Sequence, residues 1–257
     1  TINLNVALKL GKLIQNNHPD VHIVYTRQKD VFVALDKRAQ IANNAKADLF
    51  ISIHTNSVAK GRTVRGTETY TLGLHRTDDN LEVAKLENSV ILIESDYEQR
   101  YAGFNPNSSE SYIIFEFLQD KNMEKSVQLA TFIQRQFKNT AKRIDKGVHQ
   151  AGFLVLRETT MPGVLVELGY ISTPDEERYL LSESGTDALV CVPAAVNDVL
   201  TVGNYIEKWN ETCSYEDYIT IKFSDKAHNK AILNSDLPMH ILTGVAPSSD
   251  PGSGFSV

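Results

Sequence analysis

Along the first seventeen residues, Ile2, Val6, Leu10, Leu13 and Ile14 recur at three- and four-residue steps, with Leu4 and Leu8 widening the face. That period predicts an amphipathic helix laid on a sheet, and Asn16-Asn17-His18-Pro19 stops it. The pattern then shortens. Val21-His22-Ile23-Val24-Tyr25 predicts a strand, Leu35 to Ala45 a helix and Leu49 to Ile53 a strand, an alternation that signals βαβ units and a mostly parallel sheet. Gly66 to Leu72 has strand character, Asp78 to Glu94 is helical, Gly103 to Ser109 is a loop, and Ser111 to Lys142 holds one or two further helices. Phe153 to Leu156 and Gly163 to Val166 read as strands. Thr173-Pro174-Asp175-Glu176-Glu177 reads as a helix start, with a hydroxyl N-cap, proline in the first turn and carboxylates at the positive end of the helix dipole. A last helix is expected from about Ala188 to Glu207, kinked or broken at Pro193.

The fold class expected is α/β: a single, mostly parallel twisted sheet flanked by helices on both faces, with a helical insertion at about 77–145. Residues 1–207 form the main domain. Residues 208–257 read as a C-terminal extension or the start of an appended module, with a possible strand at Ile219 to Phe223 and a flexible end at Ser248 to Gly254.

Composition narrows the partners. At 257 residues and 42% hydrophobic, the chain can bury one core of ~200 residues. A net charge of −6 argues against nucleic acid, which is bound by a basic face that displaces counterions from phosphates. The longest apolar runs fall short of the roughly 20 residues needed to cross a bilayer, so no membrane span is expected. Cys191 and Cys213 are too few for a disulfide framework and lack metal-ligand spacing.

Two residues carry candidate chemistry. His54 ends the apolar run Leu49-Phe50-Ile51-Ser52-Ile53, and Glu167 closes Gly163-Val164-Leu165-Val166. Ligands of open α/β sheets bind outside the carboxyl ends of parallel strands, so an imidazole and a carboxylate can share one crevice. A charge directly after four apolar residues is costly to bury without a partner. Arg27 and Arg38 read as donors that support the fold. The other histidines show no ligand-like spacing, although His149 lies near the expected crevice.

Several strings together resemble a known family. They are Tyr25-Thr26-Arg27-Gln28-Lys29-Asp30, Val33 to Asn43 and Ala47 to Asn56, then Gly66-Thr67-Glu68-Thr69-Tyr70, Gly147 to Arg157 and Met161 to Ser172. In this order and spacing they are similar to the zinc-dependent N-acetylmuramoyl-L-alanine amidases of bacterial cell walls, over roughly residues 1 to 205. The resemblance implies a hydrolase that cuts the amide between N-acetylmuramic acid and the L-alanine of the peptidoglycan stem. It implies one Zn2+ held by two histidines and a glutamate, with a further glutamate in catalysis. His54 matches the second histidine ligand and Glu167 the catalytic glutamate. The first histidine, in a Gly-His-Gly-Gly loop, and the ligand glutamate would both fall upstream of Thr1, so an N-terminal piece is expected beyond the sequence as it stands. The chemistry suits these residue types: zinc with one open position activates water and polarises a carbonyl, and a glutamate beside it moves the proton.

The segment Thr77 to Asn122 reads first as helix packed on the domain. Some cell-division amidases of the family carry an inserted helix that covers the zinc cleft and is displaced by an activator protein, which makes Glu87 and Glu94 candidate blocking carboxylates here. Two other functions fit less of the pattern: a non-catalytic peptidoglycan-binding relative, and a zinc carboxypeptidase acting on the stem peptide. Peptidoglycan lies outside the cytoplasmic membrane, so the resemblance also implies export to the periplasm or cell envelope.

Overall fold

The strand Gly163–Tyr170 is buried at every position, as a strand covered on both faces must be. In the computed structural model of the chain, which describes residues 2–116, 121–191, 208–209 and 219–220, this segment lies inside a four-stranded sheet. The strands are β1 (Phe50–Asn56), β2 (Thr67–Leu72), β3 (Asp145–Ala151) and β4 (Gly163–Tyr170), in spatial order β1-β4-β2-β3. β1 is parallel to β4 and β2 is parallel to β3, whereas β2 and β4 are antiparallel. The expected α/β architecture is present, but the sheet is mixed: two parallel pairs meet at an antiparallel seam. Lys208–Trp209 (β5) and Ile219–Thr220 (β6) form a separate antiparallel pair. The expected helix beyond Cys191, Cys213 and the tail at 248–254 lie outside the described residues.

Successive side chains of a strand point to opposite faces, and β4 feeds two cores in this way. Val164, Val166 and Leu168 pack with Ile2 and Val6 of α1 (Ile2–Asn17), with Leu129 and Ile133 of α5 (Met123–Asn139) and with Leu189 of α8 (Glu183–Cys191). Leu165 joins the other core, with Tyr70 and Leu72 of β2, Leu35 and Ala42 of α2 (Leu35–Asn44), and Leu81 and Ala84 of α3 (Asp78–Asn88). β1 divides likewise: Ile51 and Ile53 pack toward the first core and Phe50 belongs to the second. His54 therefore shares the face of Phe50 and Leu165.

That second face is covered by the segment that follows β2. After α3 come a 3-10 turn at Ser89–Ile93, a short helix α4 (Tyr97–Arg100) and a 3-10 stretch at Ser109–Glu116. Phe104, Tyr112 and Phe115 stack edge-on and face-on in the core. Gly152 makes this contact possible, because a Cβ there would stand 2.4 Å from the Phe115 ring.

Three sequence readings need correction. Val21 to Tyr25 is extended but joins no strand among the described residues. With Leu10, Ile14, Ile51 and His54 it lines a cavity of about 380 Å³, and no ladder joins it to β1 among the described residues. Phe153 to Leu156 is not a strand: Leu154–Arg157 is a one-turn helix, α6. Its residues are apolar because they are buried in the second core, and a short apolar run does not distinguish helix from strand. The strand at this place is β3, just upstream. Finally, Thr173 does stand at the N-cap of α7 (Pro174–Leu181), but its hydroxyl makes no capping bond and donates to the Val64 carbonyl at 2.8 Å instead.

Among the described residues no helix is long and apolar enough to cross a membrane. α7 is tied to the sheet by Glu176, whose Oε2 accepts from Arg143 at 2.5 Å and from the backbone N–H groups of Gly66 and Tyr170 at 3.3 Å. Glu176→Ala would strand a buried guanidinium and two amides. The expected cost is about 3 kcal/mol, read as a lowered urea midpoint with unchanged m-value.

Candidate metal centre

The sheet register sets the site. On the parallel strands β1 and β4, His54 and Glu167 are direct partners, so both side chains leave the same face at the same level. They sit at the carboxyl half of each strand, where the resemblance requires them. Across the antiparallel seam, Glu68 of β2 is the partner of Glu167, and opposite residues on one face stand only ~5 Å apart at Cβ. The face thus carries an imidazole and two carboxylates on three neighbouring strands. α3 adds a third carboxylate, because Glu87 Oε2 is in close contact with His54 Nδ1. One ligand atom each from His54, Glu87 and Glu167 lie within 4.8 Å of one another.

The carboxylates are treated very differently by their surroundings. Glu68 Oε1 accepts from Asn56 Nδ2 at 2.8 Å and from the Tyr170 phenol, both buried. Glu167 is wholly buried and neither oxygen has a hydrogen-bond partner. Removal from water, followed by the charges of Glu87 and Glu68, raises its pKa well above the usual carboxylate range. Two naked carboxylate oxygens in an apolar wall are an expensive arrangement unless a proton or a cation answers them.

His54 is oriented from behind. Ser52 lies two residues earlier on the same face of β1, and its Oγ is 3.0 Å from Nε2. With the proton on Nε2 held by Ser52, the Nδ1 lone pair faces Glu87 and Glu167, and a lone pair against carboxylates requires a cation between them. Without a cation, a proton on Nδ1 serves, with Glu87 as its acceptor. The donor set of one imidazole nitrogen and carboxylate oxygens is of the kind that binds zinc, and the unanswered oxygens of Glu167 fit a divalent ion close by.

The two candidate blocking carboxylates part company. Glu87 reaches His54, but Glu94 does not: it accepts from the Tyr101 phenol at 3.0 Å and pairs with Arg100 Nε at 3.3 Å. His149 stands beside Glu68, its Nε2 3.7 Å from Oε2, one strand away from Glu167. Arg27 and Arg38 donate to the nearby carbonyls of Val31 and Val33. Sequence reasoning gave no role to Ser52, Asn56, Glu68 or Tyr170. The signal for Ser52 was there in the two-residue period of β1, whereas Glu68 needed the strand order.

Comparison with known proteins identifies the family. The profile of the family described as N-acetylmuramoyl-L-alanine amidase matches residues 1–191. The chain belongs to that family. It is 28% identical over 184 residues to the N-acetylmuramoyl-L-alanine amidase AmiA of Escherichia coli strain K12, covering 69% of this chain and 59% of AmiA. It is 30% identical over 180 residues to a putative amidase of Buchnera aphidicola subsp. Baizongia pistaciae, covering 70% of this chain and 75% of that one. Among solved structures, the amidase from Clostridium difficile 630 aligns with a TM-score of 0.55 at 26% identity, over 77% of this chain and 82% of that chain. The catalytic domain of CwlV from Bacillus (Paenibacillus) polymyxa var. colistinus aligns with a TM-score of 0.52 at 27% identity, over 78% and 83%. The chain spans only about 59% of the length of AmiA.

Glu167 makes a pH-dependent contribution to stability. Its pKa is higher folded than unfolded, so its contribution is intact below the ordinary carboxylate range and is lost as pH rises above it. Glu167→Gln removes that loss. In chelator at pH 7 the variant is expected to melt about 3 °C or more above the parent, roughly 1 kcal/mol for a domain of this size, and the gain should vanish near pH 4. Equal melting at pH 7 would contradict the assignment of a destabilising buried carboxyl.

Proposed function

We propose that this chain carries the catalytic face of a zinc-dependent hydrolase that cleaves the amide between N-acetylmuramic acid and L-alanine in peptidoglycan. The observation that supports this most directly is the register pair of His54 and Glu167 on adjacent parallel strands. These are the two residues to which the family resemblance gives a ligand role and a catalytic role. His54 would hold the ion, with a Glu167 carboxylate oxygen close beside it. When bound, zinc supplies Lewis acidity, which activates water and polarises the scissile carbonyl.

The chain's own residues divide the rest of the work. Glu167 stands beside His54 on the adjacent strand, so its carboxylate can take a proton from the attacking water and return it to the departing nitrogen of L-alanine. Ser52 fixes the ring of His54, and a ligand imidazole oriented from its far side is the usual arrangement. Glu68, held by Asn56 and Tyr170, stands opposite Glu167 across the antiparallel seam.

In the same reading α3 is an inhibitory lid. Glu87 contacts His54 Nδ1 and lies with Glu167 around that ring, so it takes the place beside His54 that substrate would need until α3 moves, and an activator protein in the periplasm or cell envelope would displace it, as in amidases that act in cell division.

Two experiments test the proposal. On purified muropeptides with zinc, Glu167→Gln should lower hydrolysis by about 10²- to 10⁴-fold while keeping the fold, and the products should be intact stem peptides with a free L-alanine amine by mass spectrometry. Release of single terminal amino acids would instead identify a carboxypeptidase. Glu87→Gln, or removal of Asp79 to Asn122, should raise hydrolysis severalfold, and unchanged or lower activity in a folded variant would refute the lid.

A further inference from the structure

Glu87 is the penultimate residue of α3, and the side chain of its neighbour Asn88 makes three buried hydrogen bonds. Asn88 is 1% exposed. Its Nδ2 donates to the Gly152 carbonyl at 2.7 Å and to the Tyr112 phenol oxygen at 3.2 Å. Its Oδ1 accepts from the Leu154 backbone N–H at 3.0 Å. Tyr112 in turn donates to the Pro106 carbonyl at 3.1 Å. One side chain thus joins the end of α3 to the turn between β3 and α6 and to the far side of the insertion.

We propose that Asn88 is the positioning residue that sets Glu87 against His54, so that release of the lid consists of breaking the Asn88 bonds to Gly152 and Leu154. The proposal rests on the reading of α3 as inhibitory and names the contact that holds it closed.

The geometry separates this contact from others along α3. Leu81, Ala84 and Ile91 are buried in the second core, but apolar contact is non-directional and permits a helix to turn or slide. Successive helical residues differ by about 100° around the axis. Fixing Asn88 on three partners therefore fixes the direction in which Glu87 leaves the helix. The polar contact on its outer side is a weaker anchor: Arg62 meets Asp79 at 3.4 Å with the two side chains 56% and 76% exposed, and hydrated pairs of this kind contribute little. The Asn88 bonds are dry. An amide or carbonyl left without its partner there has no water to turn to.

The test is amide hydrogen exchange on the full chain, comparing the parent with Asn88→Ala and Asn88→Asp. In Asn88→Ala, exchange across residues 78–93 should rise about tenfold or more, the equivalent of one lost buried hydrogen bond, while residues 163–170 of β4 keep their protection. Asn88→Asp, which retains an acceptor for the Leu154 N–H but no donor for Gly152, should fall between, and it carries the test if the alanine variant does not fold. Muropeptide hydrolysis should rise in the same order. Undisturbed protection of α3 in both variants would overturn the proposal, and so would an equal loss in α3 and β4, which would make Asn88 an ordinary core residue. If removal of Asp79 to Asn122 raises hydrolysis but neither Asn88 variant does, the lid stands and its anchor is elsewhere. Should α3 loosen in the Asn88 variants with hydrolysis unmoved even by the deletion, the anchor holds and the inhibitory reading of α3 falls.

Discussion

A carboxylate with no hydrogen-bond donor, sealed inside a sheet face, is the constraint around which this molecule is arranged. Glu167 follows four apolar residues in a strand buried at every position, and neither of its oxygens has a partner. It has Glu68 opposite it on one neighbouring strand and His54 opposite it on the other. Hydrophobic residues at the same place would make a more stable sheet. The positions around Glu167 make sense only as a site in which a proton or a cation completes the charge balance.

The surroundings prepare the two strand carboxylates for different roles. Glu68 receives the amide of Asn56 and the phenol of Tyr170, while Glu167 receives none. The same logic extends to α3, where Glu87 provides the acceptor that His54 lacks when no ion is present. The contact of Glu87 with His54 thus gives α3 a polar reason to rest where it does. The hydrogen bonds of Asn88 place that carboxylate, and the apolar contacts of Leu81, Ala84 and Ile91 supply adhesion without direction.

Much of this was written in the order of residues. The three- and four-residue stripe of α1 and the apolar runs ahead of His54 and Glu167 are local patterns, and local patterns determine which face of an element is buried. The failures have local causes too. β3 was invisible because Asp145-Lys146-Gly147-Val148-His149-Gln150-Ala151 has no apolar alternation and only Ala151 is fully buried. Phe153 to Leu156 imitated a strand because burial, not backbone geometry, sets its composition. Val21 to Tyr25 has a strand's composition, but a strand exists only with a partner to take its backbone hydrogen bonds, and no ladder joins it to β1 among the described residues.

What the sequence determined by itself was the family, the helix and strand character of most segments, and the pairing of one histidine and one glutamate at strand ends, since each depends on neighbours a few residues away. The tertiary structure alone decided that β2 enters the sheet antiparallel to β4, which brings Glu68 beside Glu167, and that Glu87 rather than Glu94 meets His54. Those outcomes depend on register and on the docking of α3 against a turn more than sixty residues away. No periodicity along the chain encodes such a distance, because it is set by which surfaces pack once the elements have formed.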